Sequence, residues 1–358
     1  MGRQGRKAGD SAATTVPAPA ESFDLVHARV LRFFPELVAT LGGNAAALMR
    51  QVGIDPERHA KGGAQIRYRQ AIRLLELAAA RLDCADFGMR LAWLQHGGGM
   101  FGPLGLVMKN SATFGEALQY VAGHAYAHSL AAGIWLRRPR SGKSLFVGHD
   151  ILLDALPNKS QAMEQILLLG HLAAMEITGG HARVRKVHFR HQPLSPASTY
   201  RRYFGCEVRF GRNEDGVSFS DRDLACPVAD PDAQVYRAAT AFIEARFTRH
   251  TPPLHAFARG VIMHFLRSES CTNERVAAVL KLHPRTMHRR LGAEGTSFQQ
   301  IKDEVRRDLM LYYLEQTGLD LAGISERLGF AEQSVMTRSC RRWFSASPTQ
   351  MRLRAAGG

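Results

Sequence analysis

Residues 272–294 read TNERVAAVLKLHPRTMHRRLGAE, and 48 residues further on, residues 320–343 read DLAGISERLGFAEQSVMTRSCRRW. In the first stretch Val276, Ala277 and Leu280 share one face of a short helix predicted over 272–280. Lys281, Leu282 and His283 form a turn, and Pro284 opens a second helix, where its missing N–H had no intrahelical partner to lose. Met287 and Leu291, four residues apart, pack inward and leave Arg285, Thr286, His288 and Arg289 on the outer face. The second stretch repeats the arrangement. A helix over 320–328 leads through Gly329-Phe330 into a helix from about residue 332 to residue 343, carrying Gln333, Ser334, Thr337, Arg338, Arg341 and Arg342. Between the two, Ser297 with Gln300 three residues on forms a capping box, and Phe298, Ile301, Val305 and Leu309 make the buried stripe of a long helix ending at Thr317-Gly318. One helix-turn-helix is a weak signal; two joined by a rigid helix are two reading heads at a fixed separation.

Cationic, hydroxyl and amide side chains on such helices suit DNA, since Arg and Gln match base edges in the major groove. About half to two-thirds of protein–DNA hydrogen bonds go to phosphate and sugar, so not every residue reads sequence. Arg285, Arg289, Gln333 and Arg338 are the candidates for base contact, and Arg290, Arg341 and Arg342 for phosphates or neighbouring acids. The competing reading of each helix is a solvated charged face. The whole chain carries +15, a surplus that points to a polyanion, nucleic acid before an acidic membrane surface. Residues 254–358 hold 16 Lys or Arg against 10 Asp or Glu, a surplus of 6, so +9 lies elsewhere.

Outward from this end, the composition changes. At 45% hydrophobic and 22% charged residues, the 358-residue chain is an ordinary globular protein of two or three domains, at about 100–200 residues per domain. Residues 1–22 have almost nothing to bury and read as a disordered tail. Residues 23–230 read as an α+β domain. Helical periodicity appears over 68–82 and 113–130, strand-like runs over 134–136, 144–147, 183–189, 207–210 and 216–219, and between them a helix that Ser160 caps and Gly179-Gly180 end. Residues 231–253 read as a connecting helix and linker closed by Pro252-Pro253, and 254–358 as a separate all-α domain.

Residues 272–348 resemble the DNA-binding domain of AraC/XylS-type transcription regulators. The matching motifs are Arg285-Thr286, Arg289-Arg290-Leu291 and Gly295, then Ile324 with Leu328-Gly329-Phe330, then Arg338, Arg342-Trp343-Phe344 and Ser347-Pro348. Met336 and Cys340 stand where the family usually has Phe, and Ser345 where it usually has Gly. The first two keep an apolar core; the third bears on where the last recognition helix ends. The N-terminal part is similar to the arabinose-binding-type sensor of one branch of the family through Gly102-Pro103-Leu104-Gly105, Phe114 with Ala117-Leu118, residues 185–191, Tyr203-Phe204-Gly205 and Val208-Arg209-Phe210. The resemblance implies an effector-binding and dimerising α+β domain before a double helix-turn-helix domain, with promoter DNA, a small effector and RNA polymerase as partners, a homodimer as the assembly and activation as the outcome.

Three further features have two readings each. Residues 177–206 contain no acid but hold Arg183, Arg185, Lys186, Arg190, Arg201, Arg202 and three histidines; they face an anion or form a basic, solvated sheet edge. His124 and His128, four apart beside Tyr120 on the 113–130 helix, could meet one effector or metal ion, or be surface histidines; no third ligand is placed, so no metal is assigned. His171, beside Leu167 and Met175, is an effector contact or a hydrogen-bonded core histidine. No phosphate loop or hydrolase motif is present, and Gly97-Gly98-Gly99 lacks the preceding strand of a nucleotide cradle, so no enzyme and no cofactor are expected. The rival readings are a repair-methyltransferase-like DNA-binding enzyme, which the dispersed Cys84, Cys206, Cys226, Cys271 and Cys340 oppose, and a regulator that senses a protein partner. Unpaired cysteines and the lack of a secretory or membrane-spanning stretch lead to a cytoplasmic expectation.

Overall fold

The computed structural model describes residues 23–60, 65–139, 142–153, 156, 158–247, 253–266 and 271–356. The tail expected over 1–22 and Pro252 of the Pro-Pro break lie outside them. The N-terminal unit opens with β1 (Leu25–His27), α1 (Phe34–Thr40), α2 (Ala45–Gln51), α3 (Pro56–Ala60) and β2 (Gln65–Arg67). It continues through α4 (Tyr68–Arg81), α5 (Phe87–Gln95), α6 (Pro103–Lys109) and α7 (Phe114–His124) to β3 (Ala132–Arg137) and β4 (Ser144–Ile151). After α8 (Ser160–Ile177) come β5 (Lys186–His188), α9 (Ala197–Phe204), β6 (Glu207–Arg209), β7 (Gly216–Ser220), α10 (Asp221–Leu224) and α11 (Ala233–Phe247).

The expected strands form one sheet in the order β3-β4-β7-β5-β6, antiparallel except for the β5–β6 pair. The antiparallel pair β1–β2 leaves no mark in the sequence, because a three-residue strand offers too few alternations to distinguish it from a loop. The middle of the unit is α8, which crosses α5 so closely that a Cβ on Gly88 would stand 2.1 Å from the Gln161 carbonyl oxygen. The Gln161 side chain closes the crossing by accepting from the Gly88 N–H at 2.7 Å and donating to the Ala85 carbonyl at 2.8 Å.

Several sequence expectations need correction. Ser160 does not cap α8: it is the first helical residue, and its hydroxyl donates to Asn158 Oδ1 at 2.8 Å while Lys159 holds the cap position. The basic run is not a sheet edge, since β5 lies between β7 and β6, and distant acids pair with the arginines that flank β5. Arg185 pairs with buried Asp223 at 2.6 Å, and Arg190 with Asp150 at 3.0 Å and Asp215 at 3.8 Å. Burial pushes the Asp223 carboxyl up, but hydrogen bonds from Arg185, Ser220 and the Arg183 backbone prevail and hold it at about 2. Helix α11, expected in a connector, is built into the N-terminal core: it packs on α6 and buries Ala239 and Ile243, leaving Phe242 52% exposed.

The C-terminal unit is helical throughout: α12 (Leu254–Phe265), α13 (Asn273–Val279), α14 (Pro284–Ala293), α15 (Phe298–Gln316), α16 (Leu321–Arg327), α17 (Gln333–Phe344) and α18 (Pro348–Ala356). It has its own core, in which Val276, Met287, Leu291, Val305, Ile324, Met336 and Cys340 are buried. The two units meet where Lys159, Arg190 and Asp215 face Arg259, Asp308 and Tyr312 across a cavity of about 60 Å³. Arg259 is ion-paired to Asp308, and Arg327 donates to the Gly211 carbonyl at 3.0 Å.

Candidate nucleic-acid interface

The first head forms for local reasons. Thr272 caps α13 by accepting from the Arg275 N–H at 3.3 Å, and the turn passes through Lys281 at φ +55°. His283 caps α14 through Nδ1, which accepts from the Arg285 N–H at 3.3 Å, and Pro284 takes the first turn. Met287 and Leu291 are fully buried, so the helix can turn only one face outward. On that face Arg285, His288, Arg289 and Arg290 are exposed and Thr286 is half-buried.

The second head repeats this with different caps. Asp320 accepts from the Gly323 N–H at 2.9 Å, and the turn requires Gly329: its φ is +61°, and a Cβ there would stand 2.1 Å from the Leu266 carbonyl oxygen. Met336 and Cys340 are buried, as the substituted family positions require, and Gln333, Ser334, Arg338, Arg341 and Arg342 are exposed. Ser345 closes α17 in the left-handed region at φ +52°, the conformation a glycine would adopt there. Not all of these side chains are free. The Ser334 hydroxyl donates to Glu332 at 2.9 Å, the half-buried Thr337 hydroxyl donates to the Gln333 carbonyl at 2.9 Å, and Arg342 pairs with Asp303 at 3.2 Å. Among the described residues, Arg285, Arg289, Arg290, Arg338 and Arg341 have no ion-pair partner. Guanidinium groups held out without a carboxylate are available to an anion.

Helix α15 holds both heads, as its position between them implies, but through residues that sequence reasoning passed over. Lys302 Nζ donates to the Cys271 carbonyl at 2.8 Å, just before the first head. One turn on, Arg306 donates to the Leu328 carbonyl at 3.0 Å and the Gly329 carbonyl at 2.5 Å, and lies 4.3 Å over the Phe330 ring. The only signal in the sequence was their position, four apart and beside the apolar stripe. Of that stripe, Phe298, Ile301 and Val305 are buried and Leu309 is half-buried. Ser297 accepts from the Gln300 N–H at 3.2 Å, but among the described residues the Gln300 side chain does not return the bond, so the capping box is half formed.

The four candidate effector residues do not form one site. Tyr120 and His124 stack on each other at 3.9 Å, with His124 Nδ1 2.8 Å from the Tyr120 carbonyl. His128 is not on their helix, because α7 ends at His124 and a 3-10 turn over Ala125–Ala127 intervenes. It lines a separate cavity of about 50 Å³ with His149, which sequence reasoning missed. Burial pushes both imidazoles down to about 4 and so keeps them uncharged near neutral pH. His171 is a core histidine: buried, it accepts from the Val184 N–H at 3.3 Å.

No helix among the described residues is long and apolar enough to cross a membrane. Residues 42–228 match the family model of the arabinose-binding domain of AraC transcription regulators, N-terminal, and residues 276–354 match a helix-turn-helix domain model. The HTH-type transcriptional regulator VirS of Mycobacterium tuberculosis is 34% identical over 336 residues, 93% of this chain and 97% of that one. The ornithine utilization regulator of Pseudomonas aeruginosa is 25% identical over 330 residues, 88% and 93% of the two chains. The urease operon transcriptional activator of Escherichia coli is 34% identical over 80 residues, 22% of this chain and 27% of that one.

Proposed function

The chain belongs to the AraC family of transcription regulators, and from that premise we propose that it is an effector-responsive activator that reads promoter DNA with two heads per monomer. The observation that carries the proposal is the pair of cationic helices α14 and α17, their arginines exposed and both braced to α15. Arg285, Arg289, Gln333 and Arg338 read base edges. Arg290 and Arg341 hold phosphates, with Thr286, His288, Ser334 and Thr337 completing the two faces, and Arg342 stiffens α17 against Asp303.

The N-terminal domain binds a small effector and dimerises, and the assembled dimer contacts RNA polymerase. Dimerisation through this domain is supported by the apolar groove between α6 and α11, where Leu106 is 50% exposed and Val235 and Phe242 lie open. A DNA-modifying enzyme with a reactive cysteine fits less well, because burial pushes the Cys84, Cys206 and Cys340 thiols up to about 11, away from thiolate chemistry.

Selection of bound sequences from a random DNA pool tests the proposal, with the full chain compared to a fragment of residues 253–356. The fragment should select the same half-site, bind it more weakly and be insensitive to any effector. A fragment that still responds to effector would place the sensor in the C-terminal domain, and a full chain that selects no sequence would refute specific recognition.

A further inference from the structure

Between the five-stranded sheet and α12 lies a cleft of about 400 Å³. This falls in the range of about 300–1,000 Å³ typical of small-molecule sites. Tyr126 and Trp135 line its N-terminal side, and Phe257 and Phe265 of α12 its C-terminal side, with Val279 at the end of α13. Phe257 is 42% exposed and Val279 52%, so large apolar groups on the DNA-binding domain stand uncovered at a cleft with aromatic walls. Gly260 of α12 faces Leu152, the residue after β4, and a Cβ there would stand 2.9 Å from Leu152 Cδ2.

Among the described residues, the two charged groups that line the cleft, Arg137 and Asp150, are each paired, and Arg275 lies 5.2 Å over the Phe265 ring. Buried Asp150 accepts from the Trp135 indole N–H at 2.8 Å and from Arg190 at 3.0 Å. Arg137 pairs with Glu214 at 2.5 Å and lies 5.5 Å over the Trp135 ring. An ionic ligand would lose its hydration and find both lining charges already paired, whereas a flat apolar ring gains contact with aromatic faces from both domains.

We propose that this cleft is the effector site and that its ligand is an uncharged, flat aromatic compound of naphthol size, gripped between the sheet and α12. The inference rests on the effector-responsive reading above and supplies its ligand class. Val279 belongs to α13, so the ligand touches the first reading head itself, and binding favours the domain arrangement in which sheet and α12 stand at this separation. Such a difference in affinity between arrangements is what a ligand needs to shift a DNA-binding equilibrium. The cavity beside His128 and His149, at about 50 Å³, has room for only a few waters and excludes such a ring unless the core repacks.

The test uses 2-naphthol and the full chain, with binding followed by equilibrium dialysis and by thermal unfolding. Saturable binding and a raised unfolding temperature are expected, and 2-naphthoate should bind about tenfold more weakly or worse. Gly123→Leu adds a side chain at the cleft where a new Cβ meets no atom within 4 Å, and Phe257→Ala removes a half-exposed wall. Each should weaken 2-naphthol about tenfold. Equal affinity in wild type and both variants, tighter binding of naphthoate, or no saturable binding overturns the assignment. Neither readout needs DNA: a chain that ignores naphthol yet selects a DNA sequence rejects the cleft alone, and one that binds naphthol but selects no sequence rejects the reading beneath it.

Discussion

Arg289 and Arg338 occupy matching places, each five residues after the first residue of its helix, and both are exposed without a carboxylate partner among the described residues. Replacing either with Ala should cost about 1–3 kcal/mol and relax preference at a single base position, as read by binding to a panel of single-base variants of the selected site. Equal weakening on all sequences would reassign that arginine to phosphate. Ser345 holds a left-handed conformation that costs a side-chain-bearing residue about 1 kcal/mol, so Ser345→Gly should raise stability by up to about that amount in urea unfolding. Glu164, fully buried under Tyr200, gives a pH signature. Burial pushes its carboxyl up to about 8, so the folded chain keeps a proton that the unfolded chain sheds near 4.5. Stability therefore falls as pH rises from about 4.5 to about 8. Glu76, raised by burial to about 7, adds to that slope at its lower end. His149 and His171, both lowered by burial to about 4, act oppositely and lose stability as pH falls from about 6.5 to about 4. Glu164→Gln should therefore flatten the decline between pH 7 and 8 while leaving the acid limb in place, a comparison that denaturant unfolding at several pH values makes directly.

Helix α15 owes its role to position and to two long cationic side chains. Arg306, with two backbone acceptors and an aromatic ring beneath it, is the stronger brace, and Arg306→Met should destabilise the C-terminal domain by about 2–4 kcal/mol. Urea unfolding of the 253–356 fragment, compared with its Arg306→Met form, checks this. The sequence makes these helices legible because buried pairs such as Met287 with Leu291 recur at helical spacing and start signals such as Pro284 and Ser297 mark their beginnings. It did not reveal Lys302 and Arg306 as braces, because a cation beside an apolar stripe looks the same whether it meets solvent or a neighbouring carbonyl. The arginines flanking β5, Arg185 and Arg190, hide their pairing for a related reason: their acids, Asp150, Asp215 and Asp223, lie far away in the chain and are brought close only by the sheet order. The expected pairing of His124 and His128 failed at a helix end, since α7 gives way to a 3-10 turn before His128, and four-residue spacing has its helical meaning only inside a continuous helix. Helix α11 reads as a connector in the sequence because its burial rests on Ala239 and Ile243 while Val235 and the large Phe242 face outward.

At the scale of the whole molecule, the two cores meet with their ion pairs closed on their own sides, Arg190 with Asp150 and Asp215 in one unit and Arg259 with Asp308 and Glu304 in the other, while Arg327 donates across to the Gly211 carbonyl. Leu153 and Leu156 on one side and Met263 and Leu309 on the other line the same junction, so the contact is mixed polar and apolar. The surplus of +15, with five recognition-helix arginines unpaired among the described residues, predicts binding that weakens steeply with salt, and Arg290→Ala or Arg341→Ala should each lower the slope of log affinity against log salt by about 1. Helix α15, which braces both α14 and α17, is expected to present them to one face of the duplex. Hydroxyl-radical footprinting of the full chain on a single selected half-site measures this most directly. Two protected tracts about one helical turn, or 34 Å, apart on the same face are predicted for each monomer, the upstream and downstream tracts being lost selectively with Arg289→Ala and Arg338→Ala in one order or the other. One protected groove per monomer, unchanged when either arginine is removed, would contradict it.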